Sequence, residues 1–146
     1  MRNIRVLFIS LFFMAIFFPL QSQAAEDKSM GLFINLTEGD KVPAAHAMHF
    51  ASKMMKRGHP VTLFLNNSAV SLASKNAPHG VFHMAGKTVP EMMQDLIKDG
   101  AVVIVCKMCA KMQGIKPASL IDGTKLGNPE LISEFLFDPK YKSISW

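Results

Sequence analysis

Short apolar runs alternate with stretches of helical period from Met30 to Trp146. Met30–Leu36 (MGLFINL) has the length and apolar content of a buried strand, and Thr37-Glu38-Gly39-Asp40 is a polar turn. Val42–Arg57 then repeats its apolar positions at about 100° per residue. Ala47, Met48, Phe50, Ala51, Met54 and Met55 fall on one side; His46, His49, Lys53, Lys56 and Arg57 fall on the other. Pro43 suits a first turn and Gly58 a stop, so an amphipathic helix is expected.

Val61–Leu65 (VTLFL) is a second buried-type strand. Asn66-Asn67-Ser68 offers turn and cap residues for a short helix over Ala69–Lys75. Asn76–Lys87, with Pro78, Gly80 and Gly86, is expected to be an exposed loop. Thr88-Val89-Pro90-Glu91 has the capping-box pattern and opens a helix to Asp99, striped by Val89, Met93, Leu96 and Ile97 and ended by Gly100. Ala101–Val105 (AVVIV) is the most strand-like segment of the chain. Gly114 closes a turn or short helix after it, and Ile115–Gly123 holds a short strand or a tight helix that the pattern does not separate. Asn128-Pro129 caps a helix to Phe137, and Tyr141–Ser145 suits a terminal strand. Apolar strands alternating with helices predict a three-layer α/β/α domain around a mostly parallel sheet. Ligands and catalytic groups gather beyond the carboxyl ends of such strands, where Cys106 falls.

The amino terminus changes the chemical setting. Arg2 and Arg5 precede the almost wholly apolar Val6–Leu20, and Ser22-Gln23-Ala24 places small residues where signal peptidase needs them. The apolar stretch, about 15 residues, is shorter than the ~20 that span a bilayer. A signal peptide over residues 1–24 is therefore expected, followed by a single domain over 25–146 exported to the periplasm, with no membrane contact once the signal is removed. Losing Arg2 and Arg5 lowers the formal charge from +5 to +3. The lysines are scattered without a run, which argues against a nucleic-acid partner.

Two cysteines are too few for a disulfide scaffold. Cys106-Lys107-Met108-Cys109 directly follows the Val-rich strand and is either a local disulfide or a functional dithiol. A short helical turn after Cys106, the nearby Lys107 and Lys111, and partial exposure would each favour its thiolate. A disulfide closing so small a ring would add little stability.

From Met30 to Trp146 the chain resembles the DsrE/DsrF-like sulfur-relay family, whose members include DsrE-, TusD- and YchN-type proteins. The opening strand with Thr37-Glu38-Gly39-Asp40, the Cys-x-x-Cys, Gly114-Ile115 eight residues beyond Cys106, Leu120-Ile121-Asp122-Gly123 and Leu126-Gly127-Asn128 carry the likeness. Gln113 stands where the family often has Arg. The resemblance implies a Rossmann-like fold without a phosphate loop. It implies that Cys106 forms a persulfide and that Cys109 matches the second cysteine of YchN-like members. Implied partners are sulfur-donor or acceptor proteins, or small thiols, and a homo-oligomer (trimer or hexamer) is expected. Phe82, Met84 and Phe137, off every expected core stripe, are candidates for its contacts.

Other chemistries find less support. Cys106, Met108, Cys109 and Met112 are soft donors of the kind Cu(I) prefers, so a periplasmic copper-binding module is the main alternative. Met48, Met54, Met55 and Met93, however, lie on expected core stripes. An oligomeric scaffold with a structural disulfide is the remaining alternative. His46 and His49 have ligand spacing on a helix but no carboxylate beside them, and a solvated face is expected. His79 and His83 lie in the Gly/Pro loop, with His83 a weak acid/base candidate, and Glu38 and Asp40 suit turn and cap roles. Gly39 stands alone, without Rossmann or Walker spacing, so no nucleotide cofactor is expected.

Overall fold

The computed structural model describes Asp27 and Ser29–Trp146; the expected signal, Met1–Ala24, lies outside the described residues. In chain order the elements are β1 (Gly31–Leu36), α1 (Lys41–Lys56), β2 (Val61–Leu65), β3 (Val81–Phe82), β4 (Lys87–Thr88), α2 (Val89–Lys98), β5 (Val102–Cys106), α3 (Lys107–Met112), β6 (Thr124–Gly127), α4 (Pro129–Leu136) and β7 (Tyr141–Ser145). Strands β6, β5, β2, β1 and β7 lie side by side in that order, every pair parallel. The fold is the expected α/β domain built on a parallel sheet.

The order of the strands decides which face each helix covers. The steps β1 to β2 to β5 to β6 run one way across the sheet, so right-handed crossovers place α1, α2 and α3 on one face. The return from β6 to β7 reverses direction and carries α4 across the other. Residue period agrees: Ile34, Leu36, Leu63, Leu65, Val103 and Val105 join Ala44, Ala47, Met48, Met93 and Ala110 in one buried cluster. Ile104, one residue out of phase, is buried beneath the position where α4 brings Ile132.

Local chemistry sets the helix ends. Asp40 caps α1, its Oδ1 accepting from the Val42 N–H at 2.8 Å. Thr88 and Glu91 form the expected capping box on α2. Met48 and Met93 are fully buried and Met54 and Met55 pack against the core, as the stripes require, while His46, His49, Lys53 and Lys56 are exposed.

Two segments differ from expectation, and a third resolves an open alternative. The short helix expected over Ala69–Lys75 is a 3-10 helix, Asn67–Ala73, because it starts directly at the strand end and buries Ala69, Val70, Leu72 and Ala73 in a tight turn. The expected loop Asn76–Lys87 contains the β3–β4 hairpin, too short and too exposed to show a period of two. Of the two alternatives for Ile115–Gly123 the tight helix is the one found, the 3-10 turn Pro117–Ser119, with Leu120 bridged to Ser74; the unexpected element is the edge strand β6 beyond it, at Thr124–Gly127.

Candidate functional site

Cys106 is the last residue of β5 and the cap of α3. The buried run Val103–Val105 ends there because the sheet ends there; β2 and β6 flank the strand, and Cys106 pairs with Gly127. The chain turns at once into α3, whose first backbone N–H groups have no helical acceptor. The Cys106 sulfur supplies one, accepting from the Cys109 N–H at 3.3 Å. Gly114, at φ 68°, closes α3 in a conformation that a side chain resists. The six-residue helix is thus pinned at both ends around the Cys-x-x-Cys.

No disulfide joins the two cysteines, and both are partly buried, packed against the main core cluster yet still in reach of solvent. Burial raises the Cys106 thiol above its ordinary pKa, and the Cys109 thiol, hydrogen-bonded to it, raises it further. Backbone N–H groups of Cys109 and Met108 pull the other way without prevailing. This corrects the expectation of a lowered pKa. Lys107 and Lys111 are exposed, and desolvation at the strand end outweighs the helix turn.

Those lysines border something else. With Lys116 they rim a cavity of about 440 Å³ floored by Ala110, Ile115 and Leu126. It begins one residue from Cys106 along the chain and, on β6, one residue before its strand partner Gly127. No carboxylate lines it.

The carboxyl edge is held together loop to loop. Gln113 Nε2 donates to the Asn67 carbonyl at 2.7 Å. Ser68 Oγ donates to the Thr37 carbonyl at 3.1 Å and accepts from the Gly39 N–H at 2.9 Å. A Cβ on Gly39 would stand 2.9 Å from the Ser68 carbonyl oxygen, so the glycine is what admits this approach. Glu38 is exposed and Asp40 is occupied as a cap.

The histidines do not converge on the cysteines. His79 Nε2 donates to the Ser74 carbonyl at 2.8 Å and lines a separate cavity with Asp40 and Lys41. His83 lies exposed in the turn of the hairpin, which packs against α1. His46 and His49 border an aromatic cavity on α1. Among the described residues no group of three or more His, Cys, Asp or Glu side chains is placed to hold a metal ion. The lysine-rimmed cavity, the Gln113–Asn67 bond and the Gly39 approach to Ser68 escaped the sequence. Only the spacing of Lys107, Lys111 and Gly114 along one helical face hinted at the first.

A parallel α/β domain presenting a partly exposed dithiol at its carboxyl edge defines the class. The chain belongs to the DsrE/DsrF-like family, whose model matches residues 30–142; this family is generally associated with sulfur relay. It is 36% identical over 87 residues to MJ0989 of Methanocaldococcus jannaschii, covering 59% of this chain and 72% of that protein. It is 27% identical over 128 residues to MJ0760 of the same organism, covering 85% of this chain but only 46% of that protein's length. The fold is similar to that of ychN protein from E. coli, with a TM-score of 0.62 at 18% identity, covering 80% of this chain and all of that one. It is also similar to MTH1491 from Methanobacterium thermoautotrophicum, with a TM-score of 0.66 at 10% identity, over 80% of this chain and 99% of that one.

Proposed function

We propose that this protein accepts, holds and passes on sulfane sulfur at Cys106. The observation that carries the reading is the placement of the Cys106 sulfur: at a strand end, partly exposed, and held by the Cys109 N–H at 3.3 Å. Cys106 gives its proton to solvent and, as thiolate, attacks the outer sulfur of an organic persulfide or thiosulfate. The donor's S–S bond breaks, and its thiolate or sulfite leaves with the electron pair. The Cys106 persulfide then yields its outer sulfur to an acceptor thiolate, which restores Cys106. On a second route the Cys109 thiolate attacks the inner sulfur, hydrosulfide leaves, and a Cys106–Cys109 disulfide remains. That route needs a dithiol partner as reductant before the next cycle. The lysine rim beside α3 supports an anionic donor.

The export-type start, Met1–Ala24, supports a periplasmic location. There the resting dithiol depends on a reducing partner. Phe137, 77% exposed at the end of α4, supports self-association.

Whole-protein mass after incubation with polysulfide tests the proposal. One sulfur is gained by the wild type and by Cys109→Ser, and none by Cys106→Ser; a gain that ignores Cys106 overturns it.

A second reading has one observation in its favour. Met108 and Met112, 67% and 80% exposed, are not core residues and lie on the same short helix as the cysteines. Cu(I) retention by the reduced protein that needs both cysteines and one of these methionines would select a copper-binding module.

A further inference from the structure

We propose that the cavity between α1, the β3–β4 hairpin and the end of β7 binds a small carboxylate with an apolar body. This site is separate from the dithiol and does not rest on the sulfur chemistry.

The cavity measures about 380 Å³ and its lining is mainly apolar. Phe50 and Trp146 form an aromatic floor, ring centroids 5.4 Å apart. Phe82 makes a wall, meeting the His46 ring edge-on at 5.8 Å. Met84 also lines the cavity while remaining 86% exposed; a flexible thioether placed this way can close over a ligand.

The rim is basic. His46, His49 and Lys53 recur at three- and four-residue steps along α1 and so make one stripe down the cavity side. No carboxylate side chain lines the cavity. An apolar floor under such a rim complements a ligand with a hydrocarbon or aromatic body and one negative end.

Trp146 is fixed beside β1, its carbonyl accepting from the Thr37 N–H and hydroxyl, both at 3.0 Å.

Trp146 is the only tryptophan in the chain, so its emission reports on this cavity alone. The experiment titrates the full chain with octanoate and, separately, with 1-octanol. Octanoate should shift the emission saturably and bind several-fold tighter than octanol. Replacing the rim (His46→Gln, His49→Gln, Lys53→Gln) should weaken octanoate by roughly fivefold and leave octanol unchanged, which also shows that the variant is folded. Phe82→Ala should weaken both. Equal affinities for the two probes in the wild type would overturn the proposal. So would an emission that ignores both, as when another part of the chain fills the cavity. Emission that changes with protein concentration alone would assign the cavity to a second copy and overturn it equally.

Discussion

Gln113 Nε2 donates to the carbonyl of Asn67 at 2.7 Å and ties the end of α3 to the turn after β2, two segments that flank the strand bearing Cys106. Asn67 is at φ 47°, a left-handed conformation that asparagine tolerates better than most residues. The bond and the glycine at 114 hold a helix far too short to persist alone. Gln113→Ala should cost about 1 kcal/mol and lower the melting temperature by about 4 °C, with slower sulfur uptake at Cys106. Gln113→Arg keeps a donor of sufficient reach and should lose less. Asn67→Val should destabilise more than Asn67→Gly, since valine resists a positive φ. Thermal melts and intact-mass time courses read both effects. Unchanged melting and uptake in Gln113→Ala would make the contact idle.

The Cys106 thiol is raised by burial first and by Cys109 second. Because the thiolate is the nucleophile, alkylation by iodoacetamide should accelerate as pH climbs past the ordinary thiol range, rather than levelling off near neutrality. The sign for stability follows. A thiol that ionises later when folded stabilises the fold fully below its unfolded pKa, and this contribution is lost as pH rises through the folded pKa. Cys109→Ala removes the hydrogen-bonding thiol and its like charge but keeps the backbone N–H that favours the thiolate. Cys106 in that variant should therefore alkylate faster at pH 7 than in the wild type. A slower or identical rate would show that Cys109 does not govern Cys106 in this way.

The fold was legible wherever burial dictated residue type. The apolar runs of β1 and β2, the Val-rich β5 and the methionine stripe of α1 each announce an element, because a core takes mainly apolar side chains at those positions. Thr88 and Glu91 announced the start of α2 for a different reason: backbone donors at a helix end demand specific acceptors. Strand β6 was illegible. Thr124-Lys125-Leu126-Gly127 is an edge strand, and only Gly127 in it is fully buried, so no run of apolar residues marks it. The placement of Cys106 followed from the strand it ends. Its raised pKa did not, since desolvation depends on what packs around the sulfur, and neighbours in sequence say little about that.

Gly127 lies opposite Cys106, and the space above it is already taken. A Cβ there would fall 2.8 Å from Ile104 Cγ2 and 3.3 Å from the Val105 carbonyl oxygen. Ile104 is fully buried, so its methyl cannot swing aside freely. Gly127→Ala should cost about 1–3 kcal/mol by overpacking and push β6 away from β5 at the level of the dithiol. The check combines denaturant midpoints with Cys106 alkylation at fixed pH: stability should fall and the sulfur should become more accessible. The double variant Gly127→Ala, Ile104→Leu takes the γ2 methyl off the β carbon at nearly constant volume and should recover part of the loss. Full tolerance of the single variant would mean that the strand end is loose enough to absorb a methyl group, and Cys106 would then lack the fixed setting assigned to it.

Phe137 and Leu136, 77% and 47% exposed, form an apolar end to α4. Each alone is ordinary on a protein surface, but two adjacent exposed residues at one helix end make a small apolar patch. Phe137→Asp places a charge in its centre and should shift the protein to a smaller assembly in sedimentation equilibrium. Folding is not at risk, because Phe137 is outside the core and contributes to α4 only through its backbone N–H, which bonds to the Ser133 carbonyl at 3.1 Å and survives the substitution. Sulfur uptake at Cys106 should persist in the dissociated form, since α4 covers the sheet face opposite α3. If uptake falls together with the assembly, the dithiol depends on a neighbouring copy. If the assembly is unchanged, the contacts lie elsewhere and the α4 patch has no part in self-association.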